Sequence, residues 1–401
     1  GVDDSMWVDE PGAGMSPKTS QGTPRDGDFK TSLFDVEQGE ESVQWGALAV
    51  AGITAGDHAL NLAWLRVRTA EDTATLAEDT RGKEYFHPGH DPNDPSTPGH
   101  DSPDAAPYLR LETLEYTERT TESLQLRGTH RLPIDDFLSF RAPELEWSVA
   151  HATADLLQPD KRQFGSLWLP GRVVGPITLP ATHRGYKPSA NFTLGNVQRI
   201  WKAIGETSDQ FAANLKLPFD VHESGDGHLK FGLFRDRLRR GFDQDSFSNF
   251  GDNSFFEGGF DRFWSGAFPL EEHSFTASDY DVDYRGRLDV AAWYAMFDVP
   301  LLPELELVGG VRVESTELAI VNDPEANATW FPPGSLAPTR LNPGDADVAF
   351  DQEDLLPAIG VVYRPIESFT VRASYAETVA RQTFKELTPI LQQEFLGGPI
   401  F

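Results

Sequence analysis

The chain has 401 residues, a formal net charge of −29 and no cysteine. Nucleic acid and polyphosphate are not expected partners, because such ligands need a dense surface of Lys and Arg. The absence of cysteine excludes disulfides, thiolate metal sites and cysteine nucleophiles. The length fits either two or three globular domains or one large β architecture.

The first residues, GVDDSMWVDEPGAG, lack the basic and apolar segments of a signal peptide, so we expect the sequence to start inside a longer precursor. No run of about 18 apolar residues predicts a transmembrane helix. A membrane barrel remains compatible with this sequence, because a barrel strand needs only about 10 residues with every second one apolar.

Apolar and polar residues alternate along many segments, as they do in a strand with two different faces. In ELELVGGVRVEST, from Glu304 to Thr316, one face is almost entirely apolar and the other carries charge. FTVRASYA, from Phe369 to Ala376, repeats the pattern. Ten strands are predicted, at roughly 43–53, 58–70, 107–132, 144–156, 198–221, 228–241, 279–300, 304–320, 348–365 and 368–381.

The connections between these strands differ regularly in length. Short links at 54–57, 222–227, 301–303 and 366–368 alternate with long polar segments near 71–106, 157–197, 242–278 and 321–347, and only 133–143 is intermediate. Outer-membrane barrels have short periplasmic turns and long extracellular loops, so this pattern favours such a barrel. A soluble β-sandwich with long loops is the alternative fold.

Two segments near the end of the chain resemble a known family. LPAIGVVYRPIESFTVRASYAETVARQTFKELTP, from Leu356 to Pro389, is similar to the late barrel strands of TonB-dependent receptors. DVAAWYAMFDVPLLPELELVGGVRVEST, from Asp289 to Thr316, resembles the preceding hairpin of that family. One departure is Gln382, which stands where the family usually has proline after the arginine.

The resemblance implies an all-β fold. We expect an antiparallel meander of about ten strands, part of a roughly 22-stranded transmembrane β-barrel with short periplasmic turns and long extracellular loops. Residues 1–401 would form the middle portion of the barrel domain, without the N-terminal plug and the C-terminal strands. Since ten strands cannot close such a barrel, an open sheet is expected, with the hairpin at 290–313 as its most secure part.

The function implied by the resemblance is that of an outer-membrane receptor of a Gram-negative cell. It would bind a scarce ligand, a siderophore, haem, cobalamin or an oligosaccharide, at its external loops and import it with energy coupled through TonB. Its partners would be membrane lipid, the ligand, and TonB through the plug; no enzyme activity, cofactor or nucleic acid is expected. The alternative is a secreted or surface β-rich binding protein, such as a carbohydrate-binding module or adhesin, and a third reading is a hydrolase with paired carboxylates such as Glu115 and Glu118.

Four arginines are the candidate site residues of the strands, because inward charge in a barrel contacts the plug or lines the ligand path. The alternative for these side chains is ordinary pairing with Glu306, Glu314 or Glu353. The aromatic loop residues Phe255, Phe256 and Trp264 would either contact the ligand or hold their loop against its neighbours. The four arginines are Arg312, Arg364, Arg372 and Arg381.

No metal site is predicted. His87, His90 and His100 share a Pro-rich loop and could bind a transition metal, but solvated histidines are the simpler reading. Asp279, Asp281 and Asp283 do not have the spacing of an EF-hand, so a solvated acidic stripe is expected there.

The period of two also predicts which residues face lipid. Trp45, Trp147, Trp293, Tyr294 and Tyr375 are expected at the membrane interface, where amphipathic rings are favoured. Arg312, Arg364 and Arg372 are expected on the opposite, lumen face. The predicted lipid-facing set is Leu305, Leu307, Val311, Val313, Ile359, Val361, Tyr363, Phe369, Val371 and Tyr375.

Overall fold

The fold is seen in a computed structural model. It describes residues 2–8, 32–79, 94, 96–97, 108–134, 140–169, 172–179, 182–185, 197–221, 225–249, 255–256, 275–277, 281–325, 328–335, 337–366 and 368–389.

Within these ranges the chain is almost entirely β-structure, with one short helix. The long strands are β1 (Val2–Val8), β2 (Ser32–Ala55), β3 (His58–Asp79), β4 (Tyr108–Arg131), β5 (Glu144–Leu169), β9 (Val197–Asp220), β10 (Asp226–Asn249), β13 (Val282–Leu302), β14 (Leu305–Pro324), β17 (Val348–Ile366) and β18 (Phe369–Ala376). The short elements are β6 (Arg172–Val174), β7 (Ile177–Leu179), β8 (Thr182–Gly185), β11 (Phe255–Phe256), β12 (Phe275–Ala277), β15 (Thr329–Trp330), β16 (Thr339–Arg340) and the helix α1 (Phe384–Leu387).

The long strands form one antiparallel meander. Their order in the sheet is β1-β2-β3-β4-β5-β9-β10-β13-β14-β17-β18, so each long strand pairs with the next one along the chain. Across the described residues, β1 and β18 are the two edges of this path, as expected for an open sheet. The ten predicted strands and the hairpin at 290–313 are confirmed, since β13 and β14 pair from Val282↔Pro324 onwards. No helix among the described residues is long and apolar enough to cross a membrane.

The strands differ from the prediction mainly at the ends that lead into the long loops. β3 continues to Asp79 and β5 to Leu169, well past the segments where apolar residues alternate. Cross-strand polar pairs line these extensions, for example Glu71 with Arg119 at 3.2 Å and Lys161 with Glu115 at 2.8 Å, so the ladder continues after the apolar face has ended. β1 was not predicted, and β18 ends at Ala376 instead of continuing to 381.

The register separates the two faces of the sheet as predicted. Leu307 pairs with Val361, and Val361 pairs with Ala373. Arg312 lies on the other face together with Glu306 and Val308, because successive side chains of a strand point to opposite faces. Residues directly opposite each other in an antiparallel pair share a face, so the ten apolar residues predicted to face lipid lie together on one side. We call this side the outer face and the side of Arg312 the inner face. Most of the outer-face apolar side chains on β17 and β18 are exposed.

Tyr294 was assigned wrongly by the sequence pattern. It pairs with Arg312 and therefore lies on the inner face. Its ring covers Gly232, where a Cβ atom would collide with it, and its hydroxyl donates a hydrogen bond to Asn214 Oδ1 at 2.7 Å. A tyrosine whose hydroxyl has a half-buried partner therefore occupies the inner face here, whereas Trp293 beside it is exposed on the outer face.

The acidic residues at the start of β13 are not a solvated stripe. Asp281 is only 1% exposed. The pairing of β10 with β13 ends at Phe242↔Tyr284, so the next N–H groups of β10 need other acceptors. Asp283 accepts from the Gln244 N–H at 2.9 Å, and Asp281 accepts from the Ser246 N–H. These carboxylates thus replace the missing ladder partners of β10.

Asp281 gives this end of the sheet a predicted pH dependence. Burial raises its pKa from an ordinary value near 3.8 to about 7. Because the folded state binds this proton more tightly than the unfolded state, the stability gained is complete below the ordinary pKa and is lost as the pH rises through about 7. Amide exchange at Ser246, corrected for its intrinsic rate, should lose up to about tenfold protection per pH unit between about 4 and about 7, and should then level off.

Asp281→Asn should make the protection of Ser246 nearly independent of pH between about 4 and about 7. Asp345→Asn is the matched control, because Asp345 is an exposed loop carboxylate whose pKa is lowered by hydrogen bonds from Asn342. An unchanged pH dependence in Asp281→Asn would show that another group controls this region.

Candidate site on the inner face of the sheet

The segment after β18 folds back over the inner face. Glu377 N–H donates to the Pro357 carbonyl at 3.0 Å, which starts this return. Further along, Arg381 contacts β14 and Phe384 contacts β13. We call residues 377–389 the return segment; it carries the motif TVARQTFKEL that resembles the family pattern.

Arg381 is held by two residues of β14. Its Nε donates to Thr316 Oγ1 at 3.0 Å, and its guanidinium forms an ion pair with Glu314. Arg312 donates to the same carboxylate from its own strand, at 2.8 and 2.6 Å. Glu314 is only 5% exposed, so this carboxylate joins two guanidiniums in a place where a lone charge would be costly.

Arg381 is protonated, although its surroundings disfavour the positive charge. Burial, followed by repulsion from Arg312, lowers the pKa of Arg381 from its ordinary value. Arginine nevertheless remains charged in proteins, and the carboxylate of Glu314 lies between the two cations. The group is therefore a buried cation–anion–cation cluster that anchors the return segment.

Phe384 is the second anchor of the return segment. It is 5% exposed and packs with Phe242, Tyr284, Leu318 and Ile320. A Cβ atom on Gly286 would lie 2.6 Å from the Phe384 ring, so the absence of a side chain at Gly286 makes room for the ring. The guanidinium carbon of Arg240 lies over the Phe384 ring, 5.6 Å from the ring centroid. Glu206 forms an ion pair with Arg240 at 2.6 Å.

The start of α1 is fixed by a reciprocal contact at its N-terminus. Glu386 accepts a hydrogen bond from the Thr383 N–H at 2.7 Å, and its own N–H donates to the Thr383 carbonyl at 3.1 Å. Such a contact satisfies N–H groups that a helix leaves without partners. It sets the direction in which Phe384 enters the cluster.

The four candidate arginines divide into two groups. Arg312 and Arg381 meet at Glu314, near the middle of β14. Arg364 and Arg372 lie near the short turn between β17 and β18, and Arg364 pairs with Glu306 at 2.9 Å. Pairing with Glu306 and Glu314, the alternative given by the sequence, is therefore seen for three of the four. Arg372 is exposed and has no carboxylate partner among the described residues.

Two aromatic candidates lie beyond the long-loop end of β5, and the third lies outside the described residues. Phe255 and Phe256 form β11, which pairs with His183 and Arg184 of β8. β8 in turn pairs with the end of β5, so this two-residue strand extends the sheet beyond its long strands. Trp264, His87, His90, His100 and Asp279 lie outside the described residues.

The carboxylates considered for hydrolysis do not form a pair. Glu115 accepts from Lys161 at 2.8 Å on the inner face, and Glu118 pairs with Arg68 on the outer face. The two glutamates therefore lie on opposite sides of β4. Over the part of the chain that the structure describes, no group of three or more His, Asp or Glu is arranged to hold a metal ion.

The sequence did not predict that Phe384 packs over Gly286 or that the return segment folds back over the sheet. The motif around Arg381 and Phe384 was visible, but it has neither the period of a strand nor that of a long helix. The one available signal was the break in alternation after Tyr375, which indicates the end of the strand without indicating where the chain goes.

Comparison with known proteins places this fold in a family. The family model described as "TonB dependent receptor-like, beta-barrel" matches residues 63–398. A search of curated proteins finds no match.

Similar solved structures include two forms of one receptor and a second receptor. The open form of the ferric-catecholate import receptor Fiu from E. coli K12 has a TM-score of 0.40 and 12% identity, covering 86% of this chain and 54% of that one. The closed form of Fiu has a TM-score of 0.38 and 13% identity, with 86% and 50% coverage. The siderophore receptor PiuA from Acinetobacter baumannii has a TM-score of 0.29 and 10% identity, with 83% and 48% coverage.

The chain therefore spans about half the length of the solved structures it matches. The family match covers most of the chain and includes the strands whose two faces differ. The chain belongs to the TonB-dependent receptor family, in its β-barrel domain, and thus to the outer membrane of Gram-negative bacteria.

Proposed function

We propose that this chain is the barrel portion of a receptor that binds a scarce ligand at its external loops and imports it with energy coupled through TonB. The observation that carries the proposal is the family match over residues 63–398, on a sheet with an apolar outer face and a charged inner face. The ligand is a siderophore, haem, cobalamin or an oligosaccharide.

The inner face supports this proposal through its chemistry. Cross-strand and local ion pairs, such as Glu115 with Lys161 and Arg240 with Glu206, leave few isolated charges there. A face of paired charges is suited to a hydrated path, because pairs that stay in contact with water avoid the desolvation cost of burial. Arg372, which has no carboxylate partner among the described residues, is our candidate for contact with the plug or the ligand.

Ligand import should depend on both the receptor and TonB. The full-length gene would be expressed in a Gram-negative host that lacks its own receptors, and accumulation of labelled ferric siderophores, haem, cobalamin and oligosaccharides would be measured. One ligand class should accumulate in cells with TonB, whereas cells without TonB should bind that ligand without importing it. Equal accumulation with and without TonB would contradict energy-coupled transport, and binding of no ligand class would favour another function.

The two faces of β14 provide a paired test of membrane orientation. Val311→Arg places a guanidinium in the apolar part of the outer face, at a cost of about 2–4 kcal/mol if that face contacts lipid. Arg312→Ala removes an inner-face charge, and Glu314 keeps Arg381 as its partner. The yield of heat-modifiable barrel from the full-length protein should fall for Val311→Arg and stay near wild type for Arg312→Ala. Equal losses, or a larger loss for Arg312→Ala, would mean that the faces are assigned the wrong way round.

A further inference from the structure

Three lysines come together on the inner face, near the long-loop ends of β5 and β9. Lys161 and Lys202 lie on these two neighbouring strands and on the same face. Lys385 belongs to the return segment and follows Phe384 directly. Ile204, two residues from Lys202 on this face, packs against the hydrophobic cluster that contains Phe384, so Lys385 is brought towards Lys202. We call the three residues the lysine cluster.

One carboxylate serves the whole lysine cluster. Glu115 accepts from Lys161 at 2.8 Å and from Gln158 at 2.5 Å. Burial disfavours the charge of Lys202, and Lys161 and Lys385 repel it, against the attraction of the one carboxylate. Lys202 and Lys385 have no ion-pair partner among the described residues. The cluster therefore has three ammonium groups and a single carboxylate.

The acids nearest to the lysine cluster in the sheet and in α1 already have partners. An ammonium group that is partly buried without a counter-charge is unfavourable. An anion that is not among these side chains is therefore the expected partner of Lys202 and Lys385. The contacts of the nearby acids are Glu206 with Arg240 at 2.6 Å, Glu386 with the Thr383 N–H at 2.7 Å, and Asp281 with the Ser246 N–H.

Two buried amide oxygens beside the cluster need hydrogen-bond donors. Gln158 is the register partner of Lys202 and is 6% exposed, and its Oε1 has no donor among the described residues. Gln198 lies on the same face of β9, is 4% exposed and has an Oε1 that also lacks a donor there. Buried acceptors without a donor are unfavourable and uncommon in folded proteins. The site thus offers cations to an anionic group and acceptors to hydroxyl or N–H groups.

The site is extended along β9. Gln198 and Lys202 are four residues apart on the same face, which corresponds to about 13 Å along a strand. A ligand that contacts both side chains must therefore be elongated. It must also carry negative charge at one part and hydrogen-bond donors at another.

We propose that this site binds an acidic oligosaccharide, that is, a chain of sugars that carry carboxylate groups. The carboxylates pair with Lys202 and Lys385, and sugar hydroxyl groups donate hydrogen bonds to the two amide oxygens. Among the ligand classes open to this receptor, such a sugar combines anionic groups, many hydroxyl donors and an elongated shape. Haem has carboxylates without hydroxyl groups, and a ferric siderophore uses its charged oxygens to hold iron. The inference rests on the proposed function, because it names the class of ligand that the receptor imports.

The test measures binding to the full-length protein in mild detergent by titration calorimetry. The probes are tetramers of galacturonate, mannuronate and guluronate, each compared with the same tetramer after methyl esterification of all its carboxylates. At least one acidic tetramer should bind, and its ester should bind about tenfold more weakly or less, because esterification removes the charge and keeps the hydroxyl groups.

Lysine variants locate the site of the carboxylates. K202Q/K385Q should weaken binding of the acidic tetramer by about tenfold or more and leave binding of its ester unchanged. K216Q/K230Q is the matched control, because Lys216 and Lys230 also lie on the inner face but are near Glu144 and Glu146, at 3.7 and 3.8 Å. The control should change binding by less than about twofold. Heat-modifiable mobility on gels checks that each variant is folded.

A variant of the amide site separates hydroxyl recognition from charge. Q198L removes an acceptor and should weaken binding of the acidic tetramer and of its ester by the same factor. If K202Q/K385Q does not assemble, K385Q alone changes an exposed side chain and should still weaken binding of the acidic tetramer.

Several results would overturn the inference. They are binding of none of the acidic tetramers, equal affinity for an acidic tetramer and its ester, and equal weakening in the two double lysine variants. Binding in detergent does not require TonB, so a failure of TonB-dependent import would contradict the proposed function and leave this test intact. Import of a neutral ligand that is unchanged in K202Q/K385Q would overturn the inference while the proposed function stands.

Discussion

The backbone hydrogen-bond ladder is the constraint on which the rest of this structure depends. Within the hydrocarbon of a membrane every N–H and C=O group must have a partner in the protein, so each long strand must pair along its whole length with its neighbours. Pairing fixes the register, and the register fixes the face of every side chain, because a slip of one residue exchanges the two faces. Where the ladder between β10 and β13 ends, Asp281 and Asp283 act as acceptors for the N–H groups that remain.

The inner face shows how charge is accommodated once the register has placed it there. Glu314 joins Arg312 and Arg381, and through Arg381 it ties the return segment to β14. Phe384 adds an apolar contact in the space left by Gly286. The combination of a paired buried charge and an aromatic ring over a glycine holds the return segment, which includes the helix α1, against the sheet.

The period of two was sufficient to predict most of this architecture. Ten strands, their antiparallel order and the faces of residues such as Val311 and Arg312 all follow from alternation and from the regular difference between short and long connections. The strand extensions could not be predicted, because polar pairs such as Glu71 with Arg119 maintain pairing where hydrophobicity gives no signal. Tyr294 and Asp281 were misplaced for a related reason, since their positions depend on hydrogen-bond partners from other strands, Asn214 and Ser246.

The arginines show why residue type alone predicts little of the candidate site. Arg312 and Arg239 occur in similar alternating segments, yet the first lies on the inner face beside a buried glutamate and the second on the outer face opposite another arginine. Between Arg162 and Arg199 the chain supplies Asp160 as a bridge, at the cost of an unusual backbone conformation. The same guanidinium is therefore held by an acid of its own strand or bridged to an arginine of the next strand, according to which residues the register places beside it, and this information appears only when the register is known.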